Sequence, residues 1–170
     1  MSHPVGFRIL GIDPGLQVTG YGVIEVGGGR PRVLEAGVIR GAESGRSKAD
    51  MAQRLNLLYT GIVEVIEEFR PGAMAVEQLY AHYEHPRTAI LMGHARGVLL
   101  LAAGQRNIPV TSYNATRIKK TITGHGRATK EQVQHTMLRE LNLATLPEPP
   151  DVADALAAAL CHYYAPEVTT

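Results

Sequence analysis

Short apolar runs separated by turn residues occupy the first 40 residues of the chain. The stretch Arg8–Gly15 (RILGIDPG) begins as an apolar run and stops at Asp13, before a Pro-Gly turn. A short run that ends at turn residues is typical of a buried strand. Thr19–Val26 and Arg32–Arg40 also have strand composition and are joined by short links. The pattern therefore predicts an antiparallel meander of three strands.

A pattern with a longer period begins at Ser47. Apolar side chains recur at three- and four-residue steps across Ser47–Phe69, which predicts a helix with one apolar stripe. Ala73–Glu77 is again a short apolar run, and it ends in a carboxylate. A helix between two strands of one sheet normally makes a right-handed crossover. We therefore expect Ala73–Glu77 to lie parallel to the first strand and next to it.

The rest of the chain predicts one more strand and four helices. The strand is expected at Ile108–Tyr113, and the helices at Thr88–Gln105, Ala115–Ile122, Ala128–Leu141 and Asp151–Tyr164. The sequence has no evident internal repeat or domain linker. We expect residues 1–170 to form one α/β domain. Its mixed five-stranded sheet, with three strands antiparallel and then two parallel, would be flanked by helices.

Two of the predicted strands end in a carboxylate. Asp13 and Glu77 would lie at the same edge of the sheet, on strands about 4.8 Å apart. Buried carboxylates this close together are unfavourable unless a cation or a proton neutralises them. Simpler interpretations remain, because Asp before Pro often initiates a turn and Glu77 could form an ion pair with an arginine. The shared position of the two residues favours a functional site.

A second pair of carboxylates begins the last predicted helix. Asp151 and Asp154 are three residues apart, so both face the same way. A helix cap accounts for Asp151, but it does not account for Asp154 on an otherwise apolar helix. With Asp13 and Glu77 they form an all-oxygen set, which suits Mg²⁺ or Mn²⁺ better than Zn²⁺. Two such ions about 4 Å apart would support phosphodiester cleavage.

Charge is distributed unevenly along the chain. Residues 1–80 carry a net charge of −1, residues 81–147 carry +6 and residues 148–170 carry −4. A basic middle segment beside an acidic end indicates a polyanion held near metal-binding carboxylates, although an ordinary solvated surface would show the same asymmetry. We expect no membrane span and no signal peptide. The single Cys161 fits a reducing, cytoplasmic environment.

Six stretches, in their order along the chain, resemble one known family. They are GIDPG, TGYGV, VEQLY, GHARGV, the pattern K-x-T-x-x-G-x-G-x-A-x-K-x-Q-V, and DVADALAAAL. Together they resemble the RuvC family of Holliday junction resolvases over nearly the whole chain. The resemblance implies a ribonuclease-H-like fold and a homodimer that cuts two opposed strands of a four-way DNA junction. It also implies dependence on Mg²⁺ and work alongside the RuvA and RuvB branch-migration proteins in recombination and repair.

The resemblance also implies roles for acidic and aromatic residues. The metal-binding positions of the family match Asp13, Glu77, Asp151 and Asp154. We expect this catalytic set to hold two Mg²⁺ ions, with Mn²⁺ as a substitute. Some relatives have His where this chain has Asp151, so the set here is the all-carboxylate version. The aromatic residue of the family's junction-facing loop matches Tyr80.

Basic residues of the middle segment are the expected DNA contacts. The family's DNA-contacting positions match Lys119 and Lys130. We expect three more basic residues to contribute to the same surface: Arg87, Lys120 and Arg127. Because phosphate contacts are made by positive charge without regard to base identity, these residues would position the DNA.

Two other classes of protein fit part of the pattern. Phosphate-binding ATPases of the actin and Hsp70 type also open with a strand, an Asp-x-Gly turn and a hairpin. They need two such lobes to enclose a nucleotide, and 170 residues supply one. A non-catalytic junction-binding module would be expected to lack carboxylates, and none is missing. A nucleotide-binding assay would test the first alternative, and a Mg²⁺-dependent nicking assay would test the second.

Overall fold

The computed structural model describes residues 3–41, 50–78 and 86–165. Tyr80 lies outside the described residues. The described strands and helices follow one another in the order that the apolar pattern predicts. The strands are β1 (Phe7–Asp13), β2 (Val18–Val26), β3 (Arg32–Arg40), β4 (Ala73–Glu77) and β5 (Val110–Tyr113). The helices are α1 (Met51–Phe69), α2 (Pro86–Gly104), α3 (Ala115–Thr123), α4 (Lys130–Glu140) and α5 (Pro150–Tyr164).

The five strands form one mixed sheet in the order β3-β2-β1-β4-β5. Strands β1, β2 and β3 pair antiparallel, whereas β4 pairs parallel with both β1 and β5. The predicted meander and the predicted parallel neighbour of the first strand are both confirmed. The same order makes β1 the central strand. Because β1 and β4 are parallel neighbours, their carboxyl ends lie side by side.

The two faces of the sheet contact separate hydrophobic cores. Side chains alternate between the faces along each strand. Ile9 and Ala75 point to the face that α5 covers, with α3 and α4 packed against α5. Ile12 and Val76 point to the face that α1 and α2 cover. No helix in the described part of the chain is long and apolar enough to cross a membrane.

Helix α5 approaches the sheet closely because small residues line both sides of the contact. Alanine occupies most of its buried positions, and β1 and β2 contribute glycines. A Cβ atom on Gly11 would overlap the carbonyl oxygen of Ala155, and one on Gly22 would contact Leu156 at 2.5 Å. Glycine in a strand often marks such a close approach of another backbone. The axis of α5 is thereby set by backbone contact.

The residues beside two helix starts explain where the described helices begin. Residues 47–49 of the first predicted helix lie outside the described residues. Helix α1 begins at Met51, because the Asp50 side chain accepts a hydrogen bond from the Gln53 amide at 2.8 Å. That bond satisfies one of the free amides of the first turn. Helix α5 begins at Pro150, whose fixed φ suits the first helical position. The remaining predicted boundaries agree within about two residues, which is the usual uncertainty of a helix or strand end.

Candidate active site

Asp13 and Glu77 lie at the same level of adjacent parallel strands. The strands pair Gly11 with Ala75 and Ile12 with Val76, so the next residues are Asp13 and Glu77. Their side chains follow the alternation of Gly11 and Ala75 and therefore point to the face that α5 covers. The structure thus brings the two strand-end carboxylates together at one edge.

The first turn of α5 lies over this edge because of a glycine. Gly20 of β2 pairs directly with Asp13. A Cβ atom on Gly20 would overlap the carbonyl oxygen of Asp151, so the backbone of α5 rests on the strand beside Asp13. Asp154 follows one turn later on the same helix. All four predicted carboxylates therefore lie on elements that converge at the ends of β1 and β4 and the start of α5.

The electrostatics of these carboxylates are those of partly buried neighbouring acids. Burial raises the pKa of Asp13 to about 8, and the negative charges of Glu77, Asp154 and Asp151 add to that rise. Burial, followed by the charge of Asp154, raises the pKa of Glu77 above its usual range. The pKa of Asp154 is also raised, chiefly by burial, with Asp151 contributing. Carboxylates in this state are stabilised by a neighbouring cation.

Lys119 and Lys130 border the carboxylates. The positive charge of Lys130 offsets part of the rise in the pKa of Asp13, and both lysines offset part of the rise in the pKa of Glu77 and Asp154. Lys119 lies on α3 and Lys130 is the first residue of α4. Two helices therefore place positive charge beside the acidic edge.

The other three predicted DNA contacts are exposed and lie on α2, on α3 and on the link between α3 and α4. Lys120 is exposed on α3, and Arg127 is exposed on the link between α3 and α4. Arg87 is exposed in the first turn of α2. Within the described residues, none of the three contacts a carboxylate of the cluster. The structure thus brings Lys119 and Lys130 to the site and leaves these three on the surrounding surface.

The oxygen donors suit Mg²⁺, which keeps several bound waters, better than an ion that protein ligands enclose completely. Across residues 3–41, 50–78 and 86–165, no group of three or more His, Cys, Asp or Glu side chains is arranged to hold one ion. Mg²⁺ typically binds one or two carboxylates and keeps several waters. Asp13 and Glu77, at the paired ends of β1 and β4, provide two carboxylates for such a site. The site has an all-oxygen donor set at which a divalent cation would offset the repulsion.

The simpler interpretations of three carboxylates do not agree with the structure. The cap of α5 is Pro149, without a side-chain hydrogen bond, so the interpretation of Asp151 as a helix cap is wrong. No arginine among the described residues forms an ion pair with Glu77. The turn after Asp13 is held by the hydroxyl of Thr19, which bonds to both backbone groups of Gly15. Among the described residues, no hydrogen bond or ion pair accounts for the positions of Asp13 and Glu77, whereas Asp151 lies in the first turn of α5, where a negative charge is favoured.

Sequence reasoning missed Gly20, which positions the start of α5 over the edge. Its signal was present in the TGYGV stretch, since glycines inside an apolar strand indicate close backbone contact. The same stretch contains Thr19, whose side chain is fully buried. Neither residue has the chemistry of a metal ligand, so neither was a candidate in a search for reactive groups.

Comparison with known proteins gives a consistent result. The family model described as "Crossover junction endodeoxyribonuclease RuvC" matches residues 9–162. A protein of that name from Rhodopirellula baltica is 51% identical over 156 residues, which cover 92% of this chain and 85% of the relative. The structure of Thermus thermophilus RuvC superposes with a TM-score of 0.80 at 34% identity, covering 92% of this chain and 93% of that one. The Thermus thermophilus RuvC in complex with a Holliday junction substrate gives a TM-score of 0.81 at 35% identity, and 93% of each chain is covered.

Proposed function

Because this chain belongs to the RuvC family of crossover junction endodeoxyribonucleases, we propose that it resolves Holliday junctions by paired cleavage of opposed strands. The carboxylate cluster at the converging ends of β1, β4 and α5 is the observation on which the proposal rests. Nucleases of this family are metal-dependent, and the cluster has the donor chemistry for it. We also propose that residues 1–170 form one nuclease domain that acts in the cytoplasm.

Asp13, Glu77, Asp151 and Asp154 are proposed as the catalytic, metal-holding set. Two Mg²⁺ ions, or Mn²⁺ in their place, would supply an activated water and stabilise the leaving oxygen at the scissile phosphate. The four side chains would hold and orient the ions from two strands and a helix, which fix the relative positions of the side chains. The raised pKa of Asp13, about 8, reflects burial and three negative neighbours and supports its role as a ligand.

Lys119 and Lys130 are proposed to hold the DNA backbone against the carboxylates. Their positive charges already act on Glu77 and Asp154, so a phosphate at the same place would lie within their reach. Exposed basic residues then extend the surface for the DNA arms, where contacts are sequence-independent. These are Arg87, Lys120 and Arg127.

A homodimer is proposed, because two opposed cuts require two sites in one particle and a four-way junction has approximate two-fold symmetry. Helix α2 provides the surface. Its outward face exposes Ile90 at 60% and Leu101 at 54%, with Gly93 and Gly97 between them. Apart from the neighbouring backbone of α2 itself, no heavy atom of the described residues lies within 4 Å of where a Cβ on either glycine would be. A second copy could approach this face closely. RuvA and RuvB are the proposed further partners.

The actin and Hsp70 type of ATPase is not favoured. The family model and the relatives match the chain to crossover junction endodeoxyribonucleases over almost all of its length. A non-catalytic junction-binding module is not favoured either, because all four carboxylates are present in the sequence.

The test of the proposed function compares a synthetic four-way junction with a linear duplex of the same sequence. We expect symmetric nicks in opposed strands of the junction with Mg²⁺ and none in the duplex. EDTA should remove cleavage and leave binding. Equal cleavage of the two substrates would contradict junction selectivity, and nucleotide binding without cleavage would support the ATPase alternative.

Tyr80 is proposed to stack on a base beside the scissile phosphate. It follows Glu77 by three residues in the sequence. Bases at a crossover are partly unpaired, and stacking on an aromatic ring is worth about 1–3 kcal/mol per base. We expect Tyr80→Phe to remain active and Tyr80→Ala to lose most cleavage while folding normally. Wild-type cleavage by Tyr80→Ala, or a change in melting temperature alone, would contradict the proposal.

A further inference from the structure

Thr19 has a fully buried hydroxyl group at the turn that follows Asp13. Its exposure is 0%. The Gly15 amide donates a hydrogen bond to the Thr19 Oγ1 at 3.1 Å, and Oγ1 donates one to the Gly15 carbonyl oxygen at 2.6 Å. One side chain thus satisfies both polar groups of a residue two positions after Asp13.

This turn has little room to rearrange. A Cβ atom on Gly15 would overlap the carbonyl oxygen of Val18, so the two ends of the turn are in backbone contact. The amide of Gly41 closes the other side by donating to the Gln17 carbonyl oxygen at 2.9 Å. The turn between β1 and β2 is therefore defined by backbone contacts, and Thr19 provides its side-chain bond.

Thr19 acts on Asp13 only through the backbone. Gly20, which pairs with Asp13, faces α5, and successive residues of a strand point to opposite faces. The Thr19 side chain therefore lies on the face away from the carboxylates. From the opposite face of the sheet, the side chain does not reach a metal ion or a phosphate at the site.

The position of Asp13 at the end of β1 explains why the hydrogen bonds between Thr19 and Gly15 matter for the site. The pairing of β1 with β4 ends at Ile12 and Val76, so the Asp13 backbone is held by β2 and by the turn. Its carboxylate is buried among other negative groups and repelled by them. A backbone that could rotate would let the side chain turn away from that repulsion.

We propose that Thr19 is a positioning residue that holds the Asp13 carboxylate in its metal-binding direction. The inference rests on the proposed function, in which Asp13 is a metal ligand. Thr19→Val keeps the shape of the side chain and removes both hydrogen bonds, whereas Thr19→Ser keeps the hydroxyl. Thr136 provides a matched control, since it is also buried, at 6% exposure, and donates to the Gln132 carbonyl oxygen at 2.7 Å inside α4.

The experiment measures Mn²⁺ binding by calorimetry without DNA, junction binding in EDTA, and the melting temperature. We expect Thr19→Val to weaken Mn²⁺ affinity by about tenfold, the lower end of the loss seen when a group that orients a metal ligand is removed. Junction affinity in EDTA should stay at the wild-type value. Thr19→Ser should restore Mn²⁺ affinity, and Thr136→Val should lower only the melting temperature.

Several results would overturn the inference. Mn²⁺ affinity within twofold of the wild type in folded Thr19→Val would make Thr19 a purely structural residue. Equal weakening by Thr136→Val would show that the effect follows from lost stability. If Thr19→Val does not fold, the smaller Thr19→Ala is compared with Thr19→Ser by the same criteria. A wild-type protein that neither binds Mn²⁺ nor cleaves junctions would instead reject the proposed function itself.

Discussion

Helices α5 and α2 cover opposite faces of one sheet and contact it in different ways. Helix α5 presents alanines to glycines of β1 and β2, so the two backbones nearly touch. Helix α2 packs mainly against α1, and its buried face brings Leu99 and three alanines to a core with Met74. Its outward face also stays apolar and exposed, whereas the buried face of α5 is its main apolar surface.

The difference concerns how accurately each helix is placed. Backbone contact fixes a helix axis to within a fraction of an ångström, because neither partner can change rotamer. A contact between large side chains fills volume and can adjust by repacking. The helix that carries the proposed metal-binding residues uses the first kind of contact, whereas the helix proposed for dimerisation reaches the core through side chains such as Leu99. A functional group must be held in place more strictly than a core must be filled.

The largest expected effect comes from removing a carboxylate on the α5 face. Asp13→Asn should reduce Mg²⁺-dependent junction cleavage by about 10³-fold or more, because a lost ligand removes several kcal/mol of transition-state stabilisation. Junction binding in EDTA should be retained, since the lysines bind the phosphates. Single-turnover cleavage and gel-shift titration measure the two quantities. Cleavage near the wild-type rate would contradict the assignment of Asp13.

The same substitution should stabilise the metal-free protein at high pH. The pKa of Asp13 is about 8 in the folded state and about 3.9 in an unfolded chain. Between these values the folded state binds the additional proton, so wild-type stability falls as pH rises from about 4 to 8. Each pH unit in this range lowers the free energy of unfolding by about 1.4 kcal/mol. In EDTA, Asp13→Asn should be more stable than the wild type at pH 8, by several kcal/mol, and about equal to it at pH 4. Urea denaturation at both pH values tests this, and a constant difference would contradict it.

Displacing α5 without touching a carboxylate tests the backbone contact itself. A Cβ on Gly20 would overlap the Asp151 carbonyl oxygen, so Gly20→Ala must move the start of α5. A shift of about 1 Å can lower cleavage on the order of 10²-fold, with about 1–3 kcal/mol of lost stability. Gly28→Ala is the control, because no heavy atom lies within 4 Å of its added Cβ. Unchanged cleavage by Gly20→Ala would show that α5 tolerates displacement.

The sequence predicted the sheet order and the four carboxylates because both depend on local patterns. Apolar runs that end in Asp13 and Glu77, with a helix between them, are sufficient to place the two residues side by side. The close approach of α5 was not predictable in the same way. It depends on glycines that face the helix only once the register of β1 and β2 is known. The simpler interpretation of Asp151 was a helix cap, because Asp is common there, but the cap is Pro149 and the helix begins at Pro150.

A charge on the outward face of α2 should break the proposed dimer and leave the fold intact. Leu101 is 54% exposed, so Leu101→Glu buries no charge in the monomer. We expect the solution mass to fall from dimer to monomer and paired cleavage to be lost. Val5→Glu is the control, since Val5 is 84% exposed on a different part of the surface. A monomeric wild type with full paired cleavage would contradict the dimer.

The smallest expected effect is on DNA affinity at the border of the carboxylates. Lys119 lies close enough to lower the pKa of Glu77 and Asp154, so it can reach a phosphate placed there. Lys119→Ala should reduce the slope of log affinity against log salt by about one unit, with little change in sequence preference. Arg32→Ala is the control. Because β3 runs parallel to β1, Arg32 lies at the opposite edge of the sheet, where it pairs with Glu25. An unchanged salt slope in Lys119→Ala would mean that Lys119 is a solvated lysine that stabilises the carboxylates without binding DNA.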